Sequence, residues 1–223
     1  MLKGIIFDMD GVVSDSEKYY VTVKNLVLEH FGIYDVPYEY HMQFVGTTHA
    51  FQWEHMSKDF HREDVTVEEY LDYFYPFKDE FFAKQDIGPI RGVVDFIHAL
   101  KEAGYPISIA SSGTTEEITR MLNKFGILDQ FDAIASGWEC ENSKPAPDVF
   151  ALAAKKMGLE AKDCIVIEDS PNGAIGARAA GAYCLGFCNA DFPICDMKNA
   201  DSVFTQYQDI SVEYLEKLME NRA

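Results

Sequence analysis

The sequence is short of positive charge. Its 19 Lys and Arg stand against 37 Asp and Glu, a formal net charge of −18 at pH 7. A field of that sign repels nucleic acid and anionic membrane, so neither is expected as a partner. An anionic substrate would need a local positive pocket or a metal ion, although solubility explains most of these acids. Long hydrophobic runs are missing too: no stretch of about eighteen apolar residues occurs, and no membrane span is expected. The N-terminus runs directly into MLKGIIFDMDG, without the basic segment, apolar core and cleavage site of a signal peptide. Cysteine is sparse and odd in number: Cys140, Cys164, Cys184, Cys188 and Cys195, with no C-x-x-C. A chain of this length needs no staples, so reduced thiols in a cytoplasmic protein are expected. Cys184, Cys188 and Cys195 match no usual zinc spacing and have no His nearby. There is no internal repeat and no low-complexity tract.

What is present is an ordinary globular composition, 48% hydrophobic and 25% charged over 223 residues. That length suits one domain with an insertion, or two small ones. Residues 2–8 read as a buried strand. From Asp15 to about residue 88 the pattern is helical, broken at FGIYDVP, VGTT and REDVT. More than half of the chain's aromatic residues lie there, enough for a separate core. Tyr73, Phe74, Phe77, Phe81 and Phe82 read as packing rather than a ligand box. After Gly88 helix and strand alternate. RGVVDFIHALKEAGY, TTEEITRMLNKFGI, PDVFALAAKKMG, PNGAIGARAAGA and SVEYLEKLMENR are helices, the second with Thr and Glu placed as a capping box. PISIASS, FDAIAS, DCIVIEDS, YCLGF and DSVFT are strands. This alternation predicts an α/β fold with a parallel sheet covered on both faces, its first strand preceding the helical block.

In such sheets ligands sit beyond the carboxyl ends of the strands. Asp8 stands at the end of the first strand with Asp10 two residues on, Ser111 and Ser112 end the next, and Glu168 and Asp169 end the fourth. Lys144 precedes a helix in SKPAPD. Four carboxylates gathered at one edge repel one another, and a hard divalent ion resolves the conflict; Mg²⁺ is the usual one where phosphate is the partner. A Ser hydroxyl, backbone N–H groups after Asp8 and the Lys144 ammonium together suit a phosphate. A carboxylate can attack phosphorus, and a second carboxyl can protonate the departing alkoxide. Each residue alone has a structural reading: Asp10 and the serines as caps, Lys144 as a solvated side chain, Glu168–Asp169 as a helix start. Together, in this order, they point to catalysis.

These segments, DMDGVVSDSE, IASSG, SKPAPDVF and IEDSPNGAIGARAAGA, resemble the motifs of the haloacid dehalogenase superfamily. The helical insertion resembles the cap of the subgroup containing β-phosphoglucomutase and many small-molecule phosphatases. The resemblance implies a Rossmann-like core of five or six strands, residues 1–14 and 89–223, with a helical cap domain at 15–88. It implies Asp8 as nucleophile, Asp10 as acid and base, and Ser111, with Ser112 beside it, and Lys144 as phosphate-binding. It implies Mg²⁺ held by Asp8, Asp169 and the backbone carbonyl of Asp10, with Glu168 a ligand directly or through water. True dehalogenases resemble the first motif but lack the second Asp, since a halide needs no protonation; Asp10 therefore argues against dehalogenation.

Two departures bear on the substrate. Tyr20 stands where His is frequent in related enzymes. The loop FVGTTHAF, with Gly46, Thr47, Thr48 and His49, is expected to face the site, and no Lys or Arg lies between residues 25 and 57. A mutase acting on a bisphosphate needs basic cap residues there. The expectation is therefore a phosphatase of a small phosphorylated metabolite, with a sugar or polyol end suiting Thr47, Thr48 and His49. The alternatives are a β-phosphoglucomutase-type mutase and a non-enzymatic phospho-acceptor domain. Lys24, on the first helix of the insert, has a cleft-facing reading beside the preferred solvated one, and the remaining insert histidines (His41, His55, His61) are read as surface or core residues rather than a metal cluster. A monomer or weak dimer is expected.

Overall fold

The first strand has no polar face, and the structure buries it on both. The computed structural model describes residues 1–45, 47–190 and 196–222. Strands β1 (Gly4–Phe7), β2 (Ile107–Ser111), β3 (Ala133–Ser136), β4 (Cys164–Glu168), β5 (Tyr183–Phe187) and β6 (Ser202–Phe204) form one sheet, ordered β3-β2-β1-β4-β5-β6. Every pairing is parallel. Helices α1 (Glu17–His30), α2 (Tyr38–Met42), α3 (His49–Asp59) and α4 (Val67–Ala83) intervene between β1 and α5 (Val93–Glu102). Helices α6 (Thr115–Phe125), α7 (Asp148–Lys156), α8 (Pro171–Ala179) and α9 (Val212–Glu220) complete the alternation.

Successive strand residues alternate between two cores, as the pleat requires. Ile5, Phe7, Ile107, Ile109, Ile165 and Ile167 join the cluster under α5, α6 and α9. Ile6, Ala110, Cys164 and Val166 join the opposite cluster, where Ala153, Ala154, Ala174 and Ala177 line α7 and α8. Small side chains on those two helices allow close approach to the sheet. A third cluster belongs to α1, α3 and α4, around Val23, Val27, Trp53, Tyr70 and Phe74. Trp53 and Tyr70 stack there at 4.3 Å between ring centroids, a large buried payload for a short insert.

The insert leaves and rejoins the sheet side by side. Asp15 N donates to Gly88 O at 3.0 Å and Ile90 N to Val13 O at 2.9 Å, flanking a bridge between Ser14 and Pro89. No helix among the described residues is long and apolar enough to cross a membrane. Cys140, Cys164 and Cys184 are free thiols, as expected. Cys188 is disulfide-bonded, which corrects the expectation of reduced thiols throughout. Cys195 lies outside the described residues.

Candidate active site

The strand order reverses between β1 and β4: one half of the sheet grows outward from β1 through β2, the other from β4 through β5. A crevice opens beyond the carboxyl ends of strands at such a reversal. Register then decides what lines it. Phe7 pairs with Ile167, so the next residues, Asp8 and Glu168, emerge side by side. Ser111 ends β2 on the other flank.

Lys144 enters from the loop before α7. Its ammonium donates to Asp8 Oδ1 at 2.8 Å and to Glu168 Oε1 at 2.5 Å. The lysine is 1% exposed, so the solvated reading of this residue fails. Asp8 and Glu168 hold it charged, above its ordinary range, against the burial that lowers it. Burial, with the neighbouring Glu168 charge, still pushes the Asp8 carboxyl up to about 8 despite Lys144. Burial also drives Asp169 well above its ordinary value. One ligand oxygen each from Asp8, Glu168 and Asp169 lies within 4.8 Å of the others. Three carboxylates facing one buried ammonium leave negative charge uncompensated, and oxygen donors at this spacing fit a hard divalent cation.

The backbone is shaped around these acids. Glu168 Oε2 accepts from Ser170 N at 2.8 Å and Ser170 Oγ at 2.9 Å, at the cap of α8. With Lys144 on Oε1, only one lone-pair direction of Glu168 remains. A side chain at Gly173 would meet Glu168 Oε1 at 1.8 Å, so the helix turn beneath it must be glycine. Gly11 turns with φ +75°, and a Cβ there would lie 1.9 Å from Asp169 Oδ2.

Asp10 stands apart from the three-acid group. Its Oδ1 accepts from Ser16 Oγ at 2.5 Å and its Oδ2 from Tyr20 OH at 3.3 Å. This commits its side chain away from the cluster and leaves its backbone for any metal role. Burial raises its carboxyl, partly offset by Ser16. A carboxyl raised in this way suits proton transfer.

A cavity of about 60 Å³ joins these groups, lined by Asp8, Asp10, Asp169, Ser111, Ser112 and residues of the insert. Ser111 is buried, its Oγ accepting from Gly113 N at 3.1 Å. Thr47, Thr48 and His49 line the cavity as expected, but both threonine hydroxyls are engaged locally. Thr47 Oγ1 donates to Phe44 O at 2.7 Å, and Thr48 Oγ1 caps α3 by accepting from Phe51 N. Gly46 lies outside the described residues. His49 packs on Phe74 at 4.0 Å between centroids, and burial first, then Lys24 and Lys78, keeps it neutral.

Sequence reasoning preferred a solvated Lys24 over a cleft-facing one and missed Lys78. Lys24 and Lys78 are 5% and 4% exposed and line the cavity. The lack of basic residues between 25 and 57 therefore does not leave the insert side uncharged. Lys78 pairs with Glu117 of α6, and Asp79 with Arg120 at 2.8 Å, tying α4 to α6. The spacing of Glu17, Tyr20 and Lys24 on α1 places all three on one helical face; that signal was legible, but which face meets the sheet was not.

Residues 5–187 match the model of the haloacid dehalogenase-like hydrolases. The chain belongs to this hydrolase family. It is 31% identical over 193 residues to protein CbbY of Cupriavidus necator, covering 81% of this chain and 76% of that one. It is 35% identical over 91 residues to hexitol phosphatase B of Escherichia coli, 41% of each chain. Its fold superposes on β-phosphoglucomutase from Clostridium difficile with a TM-score of 0.83, 23% identity and coverage of 100% and 99%.

Proposed function

We propose that this protein is a Mg²⁺-dependent phosphatase of a small phosphorylated metabolite, working through an aspartyl phosphate on Asp8. The observation that carries the reading is the buried Lys144 ammonium held between Asp8 and Glu168, with Asp169 completing the acid group. Bound Mg²⁺, on Asp8, Asp169 and the Asp10 carbonyl with Glu168 beside it, would neutralise this charge and the charge on the phosphoryl oxygens.

An Asp8 oxygen attacks phosphorus as the bond to the ester oxygen breaks. Asp10 gives its proton to that oxygen, releasing the alcohol. Water then attacks phosphorus, Asp10 takes its proton, and the bond to Asp8 breaks to release phosphate. Lys144 and the Ser111 hydroxyl orient the phosphoryl group. Helices α1–α4, residues 15–88, serve as a cap over the core of residues 1–14 and 89–223, excluding bulk water from the phosphoenzyme. A cytoplasmic monomer or weak dimer belongs to the same reading.

Hydrolysis is preferred to a mutase reaction because a second phosphate needs several free cations, and Lys78 is already paired with Glu117. The name of the hexitol phosphatase relative supports a sugar or polyol phosphate, for which Gln52 Oε1 and His49 Nδ1 offer unsatisfied polar atoms. A screen of phosphorylated metabolites, with Mg²⁺ and with chelator, tests the reading. Mg²⁺-dependent phosphate release is expected. Conversion of β-glucose 1-phosphate to glucose 6-phosphate, given a trace of bisphosphate, would establish the mutase instead.

A further inference from the structure

Glu17, Tyr20 and Lys24 recur along one face of α1, and all three line the cavity that contains Asp8 and Asp10. Tyr20 is spoken for by Asp10. Lys24 is not. Its side chain is 5% exposed, and its ammonium lies over the Tyr20 ring, 5.9 Å from the centroid. Among the described residues it makes no hydrogen bond and no ion pair, whereas Lys78 and Lys144, the other buried lysines, make both.

A buried ammonium without a partner is costly and is retained where something else completes it. Its charge reaches Glu17 and Asp10, which oppose the effect of burial on Lys24, but neither touches it. Beside it, Gln52 donates through Nε2 to Phe44 O and Thr47 O, at 3.3 and 3.1 Å. Its Oε1 and His49 Nδ1 are both buried without a well-formed hydrogen bond, and Gln52 lies close enough to His49 to oppose the lowering of its pKa. Lys24, Gln52 and His49 thus line the same small cavity as the proton-donating carboxyl of Asp10.

We propose that Lys24, with Gln52, forms the subsite for the leaving group, and that it selects phosphomonoesters of hydroxy acids. The carboxylate would sit on Lys24 and a hydroxyl would donate to Gln52 Oε1. One unpaired ammonium matches one carboxylate; a dianionic second phosphate would be left under-compensated. This inference rests on the phosphatase reading above but departs from its sugar or polyol alcohol, naming a hydroxy acid as the alcohol released.

The test is steady-state kinetics of the full chain with Mg²⁺ on 2-phosphoglycolate and 3-phosphoglycerate, against glycerol 3-phosphate as the uncharged counterpart and fructose 1,6-bisphosphate as the doubly phosphorylated one. Acetyl phosphate, whose small acetate leaving group departs without needing a subsite, reports the core chemistry alone. The carboxylates should be preferred over glycerol 3-phosphate by about tenfold or more in kcat/KM. Lys24→Met should erase most of that ratio through KM, and Lys24→Arg should keep it. The proposal is overturned if glycerol 3-phosphate is the better substrate, if the bisphosphate is preferred with the same dependence on Lys24, or if Lys24→Met lowers carboxylate and neutral esters equally. Turnover of acetyl phosphate with no carboxylate preference sinks this inference alone. No turnover of any ester sinks the phosphatase reading with it.

Discussion

Lys144 Nζ lies 2.8 Å from Asp8 Oδ1 across 136 positions of sequence, and the contact is buried. The same ammonium reaches Glu168, so one cation fastens the ends of the two central strands. Removing either carboxylate leaves it the other.

Asp8→Asn is therefore expected to keep the fold while losing the reaction. Turnover should fall by about a thousandfold or more, because the amide cannot form the acyl phosphate. The thermal midpoint should hold or rise, since a buried acid whose ionisation is disfavoured has been neutralised. Phosphate release and a thermal melt on the same sample check both. Residual activity of a few per cent would place the nucleophile elsewhere.

Metal and proton should compete for this corner. In the folded chain Asp8 is raised from 3.8 to about 8, so between those values the native state binds a proton that the unfolded chain does not. Metal-free stability should then fall as pH rises through that window. A divalent cation replaces the proton, so added Mg²⁺ should raise the melting temperature more near pH 8 than near pH 5. Equal increments at both pH values would contradict the assignment.

Gly173→Ala tests the floor under Glu168. The new Cβ would lie within 2.4 Å of both carboxylate oxygens, so the side chain must swing out of its bonds with Lys144 and Ser170. Mg²⁺ affinity should drop by about 10–100-fold. Gly88→Ala, where a Cβ meets nothing within 4 Å, is the matched control and should bind as the parent does.

The two hydrogen bonds on Asp10 should be separable. Tyr20→Phe removes the longer one, at 3.3 Å, and leaves Ser16 at 2.5 Å. A loss of about threefold to tenfold in kcat is expected, against roughly 10²–10⁴ for Asp10→Asn. In Asp10→Asn, rapid quench should trap phosphoenzyme, because the water step lacks its base.

His41 offers a stability test away from the chemistry. It is fully buried, its Nε2 shares a hydrogen bond with Asn25 Oδ1, and burial lowers it from 6.5 to about 4. Between those values only the unfolded chain takes the proton, so this residue's contribution is present above pH 6.5 and lost toward pH 4. On the order of 2–3 kcal/mol is at stake. Urea midpoints from pH 7 to pH 4 should fall less in His41→Gln than in the parent.

The acids at the strand ends were legible in the sequence because an apolar run that stops at Asp8 or Glu168 fixes both the element and the edge where it ends. So was the capping box of α6, where Thr114 and Glu117 bond reciprocally. The insert was harder. Lysines on amphipathic helices are usually solvated, and periodicity does not say that α1 turns Lys24, or α4 turns Lys78, toward the sheet. Thr47 and Thr48 line the cavity as expected, but the pattern does not show that their hydroxyls also serve Phe44 O and the start of α3. Burial and competition for backbone partners are long-range facts, and a one-dimensional pattern does not carry them.

The paired strands of chain at Val13–Asp15 and Gly88–Ile90 give the insert a single doorway. Whatever is hung on that doorway can lengthen, shrink or be exchanged without altering the distance between the ends of β1 and β4. A change in the insert's length therefore need not shift the alignment of the carboxylates that those two strands present.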